Sequence, residues 1–428
     1  MKRLIRSVNR INNNEYAYSV ITKVFGVLAG LVYSILYSRY LGKELRGEAA
    51  VVVNFSTLTS LVLCAGIYQA YPFFRKNGNK DRRVLYEEYI NNCLGLFLLY
   101  IVLCIFISLV LPLSIGKRIS FVLIPFLVGT RLFNYVVLIE TPKKRNTASI
   151  VLYLFDIFLV VGLMLFTKAD LFWCFFLLVV KEIVYFLVAI RIVGIPILKI
   201  RPTIKNLVPY IRFGIIPMMT IILMEINYRV DVLMLEGKVS SAEIGVYSLG
   251  VQLAERLWLI PDALKDILLS KLTKGKAADE VAKITRISLA AMIVCVFFAV
   301  VLGRPFLVIL FGKEYSGAYE IMLVILASVI SMVFYKMVYA YNVANGNRRV
   351  NLIILGLAAT LNVVMNFVLI PQMGNMGAAV ASLVSYSVCG LAFLIYFISK
   401  THTPLIKMVL VTKSDFHQMI GLVKRNNK

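Results

Sequence analysis

The stretch FGIIPMMTIILMEINYRVDVLML, Phe213–Leu235, decides how the whole chain is to be read. Its length matches the ~20 apolar residues that a helix needs to cross a hydrocarbon core. It nevertheless contains Glu225, Arg229 and Asp231, spaced so that Glu225 and Arg229 lie on one helix face. An apolar run of spanning length with charges inside it is a membrane helix whose polar side faces something other than lipid.

The composition extends that reading to the rest of the chain. Of 428 residues, 60% are hydrophobic and 16% charged. Soluble domains run at about 45–50% apolar and about 25% charged, so a water-soluble core could not hide this much apolar surface. The same ruler gives twelve candidate spans. The first six are Tyr16–Tyr40, Ala49–Phe74, Tyr89–Leu111, Ile119–Ile139, Ala148–Phe166 and Leu171–Val193. The second six are Phe213–Leu235, Ile244–Leu268, Ile287–Leu310, Ile321–Val343, Leu352–Ile370 and Ala378–Ile398. The first run is too long for a cleavable signal peptide, and no small-residue cleavage site follows it.

The 46 Lys and Arg against 22 Asp and Glu give a net charge of +24. In a soluble protein that excess would suggest nucleic acid. Here the basic residues lie mostly between apolar runs, which points to anionic membrane lipids as partners and to no nucleic acid. The N-terminal arm, alternate connections and the C-terminal tail hold 31 of the 46, and the opposite set holds 9. The positive-inside rule then places both termini in the cytoplasm. Three cytoplasmic stretches read as interfacial amphipathic segments. One has Leu4, Ile5, Val8 and Ile11 among Arg3, Arg6 and Arg10; a second follows Pro202; the third carries Phe416, Met419, Ile420 and Val423.

The chemistry of soluble enzymes is missing. Cys64, Cys93, Cys104, Cys174, Cys295 and Cys389 lie in or beside apolar runs without metal-ligand spacing. The only histidines, His402 and His417, lie in the tail. The longest external connection, Gly303–Glu320, has no His or Asp, so a membrane glycosyltransferase, ligase or polymerase finds no catalytic loop there. No phosphate-binding glycine loop appears. No enzyme activity, metal or cofactor is expected.

Two halves of six spans meet near Arg201, giving expected domains 1–200 and 201–399 and a cytoplasmic amphipathic tail 400–428. Weak internal similarity supports the repeat. Span one ends Ser38-Arg39-Tyr40-Leu41-Gly42-Lys43, and span seven ends Leu233-Met234-Leu235-Glu236-Gly237-Lys238. Lys143-Lys144-Arg145 follows span four, and Gly346-Asn347-Arg348-Arg349 follows span ten. Parallel repeats of this kind are a transporter plan.

These stretches, with several others, resemble the polysaccharide transporter (oligosaccharide flippase) family, O-antigen flippase type, of the multidrug/oligosaccharidyl-lipid/polysaccharide exporter superfamily. The resemblance rests on Phe213-Gly214-Ile215-Ile216-Pro217, Arg229-Val230-Asp231 and Glu243-Ile244-Gly245-Val246-Tyr247-Ser248. Leu310-Phe311-Gly312-Lys313-Glu314-Tyr315, Leu369-Ile370-Pro371 with Gly374 and Gly377-Ala378-Ala379, and Arg39-Tyr40-Leu41-Gly42 with Gly47 add to it. It covers the chain to about Ser399. It implies an all-α polytopic fold of twelve transmembrane helices. They would form two pseudo-twofold-related six-helix bundles in a V-shaped alternating-access transporter. It also implies export of polyprenyl-diphosphate-linked oligosaccharide across the bacterial cytoplasmic membrane, beside polysaccharide polymerase and glycosyltransferases.

Six basic residues lie inside spans: Lys23, Arg131, Lys181, Arg229, Arg256 and Lys336. Each costs roughly 2.5–3.5 kcal/mol at the bilayer centre, so each must pair with an acid or face a polar cavity. Acids in the spans include Asp156, Glu182, Glu225, Asp231 and Glu255. Lys181 adjoins Glu182 and reads as structural; the resemblance also puts span six at the periphery. The resemblance places spans one, four, seven, eight and ten around the cavity. That makes Lys23, Arg131, Arg229, Arg256 and Lys336 candidate ligands for the diphosphate and sugar. Glu225 and Asp231 are candidates for a coupling cation or for neutralising Arg229. Tyr335, Tyr339 and Asn342 flank Lys336 and read as packing before sugar contacts. Pro217 and Pro261 are expected to kink spans seven and eight. A multidrug or cation exporter of the same superfamily is the nearest alternative, ahead of a non-transporting assembly scaffold.

Overall fold

A computed structural model describes residues 15–78, 81–194, 204–272 and 278–410. The amphipathic segments expected at Leu4–Ile11 and Phe416–Val423 lie outside the described residues. Helices and short turns make up the described chain. In order they are α1 (Glu15–Leu63), α2 (Ile67–Asn77), α3 (Arg82–Val110), α4 (Ile115–Glu140), α5 (Pro142–Phe166), α6 (Leu171–Val193) and α7 (Ile204–Leu235). Then follow α8 (Ser241–Leu257), α9 (Leu259–Leu272), α10 (Ala278–Phe311), α11 (Ala318–Leu326), α12 (Val329–Ala344), α13 (Arg348–Thr401) and α14 (Leu405–Val409). Eight helices are long and apolar enough to cross a membrane, and α11 with α12 forms a ninth candidate bent by 53°. Two of the eight, α1 and α13, are long enough for two crossings each, interrupted at Gly42 and Gly374. Large apolar side chains such as Phe166, Leu109 and Phe367 are at least three-quarters exposed. On a water-facing surface that would be anomalous; on a multi-pass membrane protein it is the lipid-facing side.

The chain divides into two compact units, Met1–Ile222 and Leu223–Lys428, so the division falls inside α7. The reason is local. The first half of α7 packs on the N-terminal unit: Tyr210 meets Phe74 at 4.7 Å and Tyr89 at 5.7 Å, and Phe213 stacks on Phe73 at 4.1 Å. Gly214 and Gly66 touch backbone to backbone, and a Cβ on either would fall 2.1–2.3 Å from the other's carbonyl oxygen.

In the N-terminal unit α4 packs against α1, α2, α3, α5 and α6. One cluster joins Tyr71, Tyr89, Phe97, Phe133 and Phe186; a second joins Tyr40, Val52, Leu123, Val160 and Phe175. Span two is not one straight rod. It breaks at Cys64–Gly66, where Ala65 and Gly66 take positive φ, before resuming as α2. Past Gly42, the buried Arg46 donates to Ser38 Oγ at 2.6 Å, so a basic residue counted with the outer connections staples the kink.

In the C-terminal unit α12 packs against α9, α10 and α13, while α8 packs on α11. A Ser240–Glu243 capping box starts α8. The Ser240 hydroxyl, then its N–H, hold the Glu243 carboxyl below its ordinary range. Span eight ends its first helix at Leu257 and restarts as α9 with Pro261 in the opening turn, where proline's missing N–H costs nothing. Span seven, in contrast, runs unbroken through Pro209 and Pro217. Span ten breaks without proline, at Ala327–Ser328, where Ala327 N–H is shared by the Leu323 and Val324 carbonyls. Gly42 and Gly237, matched in the internal repeat, both take left-handed φ after the first span of their units (68° and 73°).

Candidate functional site

Two faces of α7 in the C-terminal unit do different work. Glu225 and Arg229, one turn apart and partly exposed, form an ion pair. Asn227 and Asp231 are offset from them by two residues, about 200° around the helix, and are buried. Asp231 Oδ2 accepts from the Tyr247 hydroxyl on α8 and from Ser382 Oγ on α13 at 3.2 Å, and Oδ1 accepts Val232 N–H at 2.8 Å. Ser385 Oγ donates to Asn227 Oδ1 at 3.0 Å and accepts from Asn362 Nδ2 at 3.1 Å; Asn366 Nδ2 reaches Asn362 Oδ1 at 2.9 Å. Asn366 Oδ1 is buried with no partner. One carboxylate among amide and hydroxyl oxygens is the donor chemistry of a hard cation. Among the described residues no cluster of three His, Cys, Asp or Glu side chains exists, so a thiolate or imidazole metal site is not built.

Lys336 on α12 is buried, its Nζ 2.7 Å from Asp262 Oδ2 and 5.6 Å from the Trp258 ring centroid. Asp262 also takes Lys265 at 2.9 Å. Trp258, at the junction of α8 and α9, packs with Tyr228 and Tyr386 at 5.4 Å each, and its Nε1 and the Tyr386 hydroxyl are buried without partners. Arg256 occupies the last turn of α8, where a cation suits the helix dipole. Asp262 escaped the sequence reading as an acid within span eight, although it directly follows Pro261. Tyr335 donates to Met224 Sδ at 2.9 Å, and Asn342 to Asn351 Oδ1 at 2.8 Å. Both are packed.

In the N-terminal unit, Lys23 on α1 is exposed. Lys181 on α6 pairs with Asp156 on α5 at 3.4 Å, not simply with its neighbour Glu182. Its Nζ lies 4.8 Å and 5.5 Å from the Tyr33 and Tyr185 ring centroids, and Tyr185 donates to Asp156 Oδ2 at 2.8 Å. Arg131 on α4 is half-buried and borders a cavity of about 290 Å³. Thus Arg229, Arg256 and Lys336 share one unit with Glu225 and Asp231, and Lys23 and Arg131 belong to the other.

No family model and no curated protein sequence matches the chain. Solved structures do. The lipid II flippase MurJ in an inward closed conformation aligns with TM-score 0.73 and 16% identity over 91% of this chain and 88% of that one. An inward-facing multidrug resistance MATE family transporter of the MOP superfamily aligns at 0.65 and 12% over 88% and 94%. A MOP superfamily transporter from Pyrococcus furiosus, described as having a binding pocket of reverse polarity, aligns at 0.61 and 12% over 90% and 96%. At these identities the likeness is one of fold. Repeated units, interrupted long helices and intramembrane charges thus sit on the MOP-superfamily transporter fold, shared with a lipid flippase and with MATE exporters.

Proposed function

We propose that the protein is a flippase that moves polyprenyl-diphosphate-linked oligosaccharide from the cytoplasmic to the outer leaflet of a bacterial cytoplasmic membrane, with both termini in the cytoplasm. The product would feed cell-surface polysaccharide assembly by a polymerase, downstream of glycosyltransferases. One observation supports this most. The basic residues Arg229, Arg256 and Lys336 gather on α7, α8 and α12 of one unit, in a fold shared with a lipid II flippase.

In this reading Lys23, Arg131, Arg229, Arg256 and Lys336 hold the diphosphate and the first sugars. Arginine offers a planar fork to phosphate oxygens, and lysine a point charge. Glu225 and Asp262 keep Arg229 and Lys336 placed while no substrate is bound, so binding exchanges one anion for another without burying a bare cation. The unpartnered Trp258 Nε1 and Tyr386 hydroxyl offer polar contacts to a sugar. Asp231, with oxygens of Asn227, Asn362 and Ser382 nearby, is the candidate coupling-cation site.

The driving force need not be chemical. Moving one charge across 100 mV is worth about 2.3 kcal/mol, so roughly two negative charges leaving a negative-inside cell gain about 4–5 kcal/mol. The test is reconstitution with a defined fluorescent polyprenyl-diphosphate oligosaccharide, following its accessibility in the outer leaflet. R256A and R229A are expected to lower flipping at least tenfold with membrane insertion unchanged; wild-type flipping by both variants would overturn the assignment. Fold likeness to MATE transporters and the acid-lined face of α7 favour one alternative, a cation exporter. Movement of a cationic drug in the same vesicles, with the lipid-linked sugar left behind, would establish it.

A further inference from the structure

The N-terminal unit holds two basic residues that the ion-pair network leaves out. Along α4, Leu127, Thr130, Arg131, Asn134 and Leu138 fall on one stripe and wall the cavity of about 290 Å³, with Arg145 of α5 across from them. Asn134 and Arg145 also line an adjoining cavity of about 170 Å³, which continues past Ser149, Tyr153 and Tyr185. Separately the two fall below the ~300 Å³ at which small-molecule pockets begin, and joined they exceed it.

The polar groups facing this space lack partners. Arg131 Nη1 and Thr130 Oγ1 are both buried with no hydrogen bond. Among the described residues neither Arg131 nor Arg145 makes an ion pair, and the nearby acids are engaged elsewhere. Glu140 accepts from Arg75 Nε at 2.6 Å, Arg75 Nη2 at 3.1 Å and the Tyr71 hydroxyl at 2.7 Å. Asp156 is held by Lys181 and Tyr185. Glu182 acts on Arg131 through space only. Two guanidinium groups therefore share one cavity with at most one distant carboxylate.

Depth gives the ligand its character. Arg145 lies three residues past Pro142, the first residue of α5, and Asn134 six residues before the end of α4. At 1.5 Å per residue both are within about 10 Å of the helix ends, the level of lipid phosphates. Thr141 offers no side-chain cap, so the positive end of the α5 dipole is open at the same level.

We infer that Arg131, Arg145, Asn134 and Thr130 form a built site for the phosphate of an anionic lipid, complete within the N-terminal unit. Two sources supply that chemistry: an isoprenoid diphosphate and an anionic phospholipid headgroup. The site shares Arg131 with the function proposed above, but it stands on binding and not on transport.

The test is native mass spectrometry of the full chain in neutral detergent, titrated separately with farnesyl diphosphate and with phosphatidylglycerol, using phosphatidylcholine as reference. Wild type is expected to retain one tightly bound molecule of at least one anionic probe. R145Q and R131Q should weaken that binding about tenfold or more, as expected for losing hydrogen bonds to a charged group. R118Q, changing an exposed arginine whose Nε donates to the Leu113 carbonyl, should not. Loss confined to farnesyl diphosphate identifies a substrate-type headgroup; loss confined to phosphatidylglycerol identifies a structural lipid; either supports the site. Undiminished binding in R145Q, no retained anionic probe in wild type, or an equal loss in R118Q overturns it. If R145Q unfolds, R145K keeps the charge without the fork, and unweakened binding there overturns the site equally. Flipping lost with binding intact would sink the transport reading and leave this one standing.

Discussion

Asp231 and Arg229 are two residues apart and belong to different environments. The Arg229 charge is answered by Glu225 on its own face, which frees Asp231 from that role. Asp231 is instead wrapped by Tyr247, Ser382 and the Val232 N–H. Replacing it by Asn keeps the shape and removes the charge. D231N is therefore expected to fold normally and to lose any dependence of flipping on a Na+ or proton gradient; gradient-stimulated flipping at the wild-type ratio would exclude coupling there. Lys181 makes the opposite case, a cation serving structure. K181M leaves a carboxylate only 5% exposed, with Oδ1 already unpartnered, and should cost about 3 kcal/mol in unfolding free energy. Adding D156N removes the stranded charge, so the double variant should recover much of that loss in a mutant cycle. Equal losses in both would show that the pair is not what the lysine stabilises.

At the scale of elements, the spans are legible as apolar lengths, but their interruptions are not. The break of span eight had a signal in Pro261. Those at Cys64–Gly66 and Ala327–Ser328 had none, because they answer to neighbours. Gly66 bends where Gly214 presses on it, and α12 lies so near α13 that a Cβ on Gly390 would sit 1.9 Å from the Ser331 carbonyl oxygen. G214A should thus cost about 1–3 kcal/mol by overpacking, measured as thermal unfolding in detergent. G162A, a helical position with nothing within 4 Å of its Cβ, should be neutral or up to about 1 kcal/mol stabilising. Similar melting of both variants would mean that the Gly66–Gly214 contact relaxes freely.

For the whole molecule, the net charge of +24 has several origins. Most basic residues lie between spans, where orientation is decided. A few lie within them, where burial demands a partner. If the cargo is a diphosphate lipid, vesicles with an imposed negative-inside potential of 100 mV should shift its equilibrium distribution outward by about three decades, the equivalent of 4–5 kcal/mol. A distribution indifferent to valinomycin-set potential would mean that no net charge moves with the lipid.

The sequence alone determined that the chain is helical, membrane-embedded and built of twelve apolar spans, because hydrocarbon allows few backbone solutions and makes charges conspicuous. It also revealed the Glu225–Arg229 pairing, which one helix turn suffices to specify. It did not determine that Lys336 meets Asp262, that Lys181 meets Asp156, or that Arg131 shares a cavity with Arg145. Those partners lie on different helices, and helical periodicity says nothing about which faces meet. Only packing within each unit chose which intramembrane charges are neutralised and which remain available to a ligand.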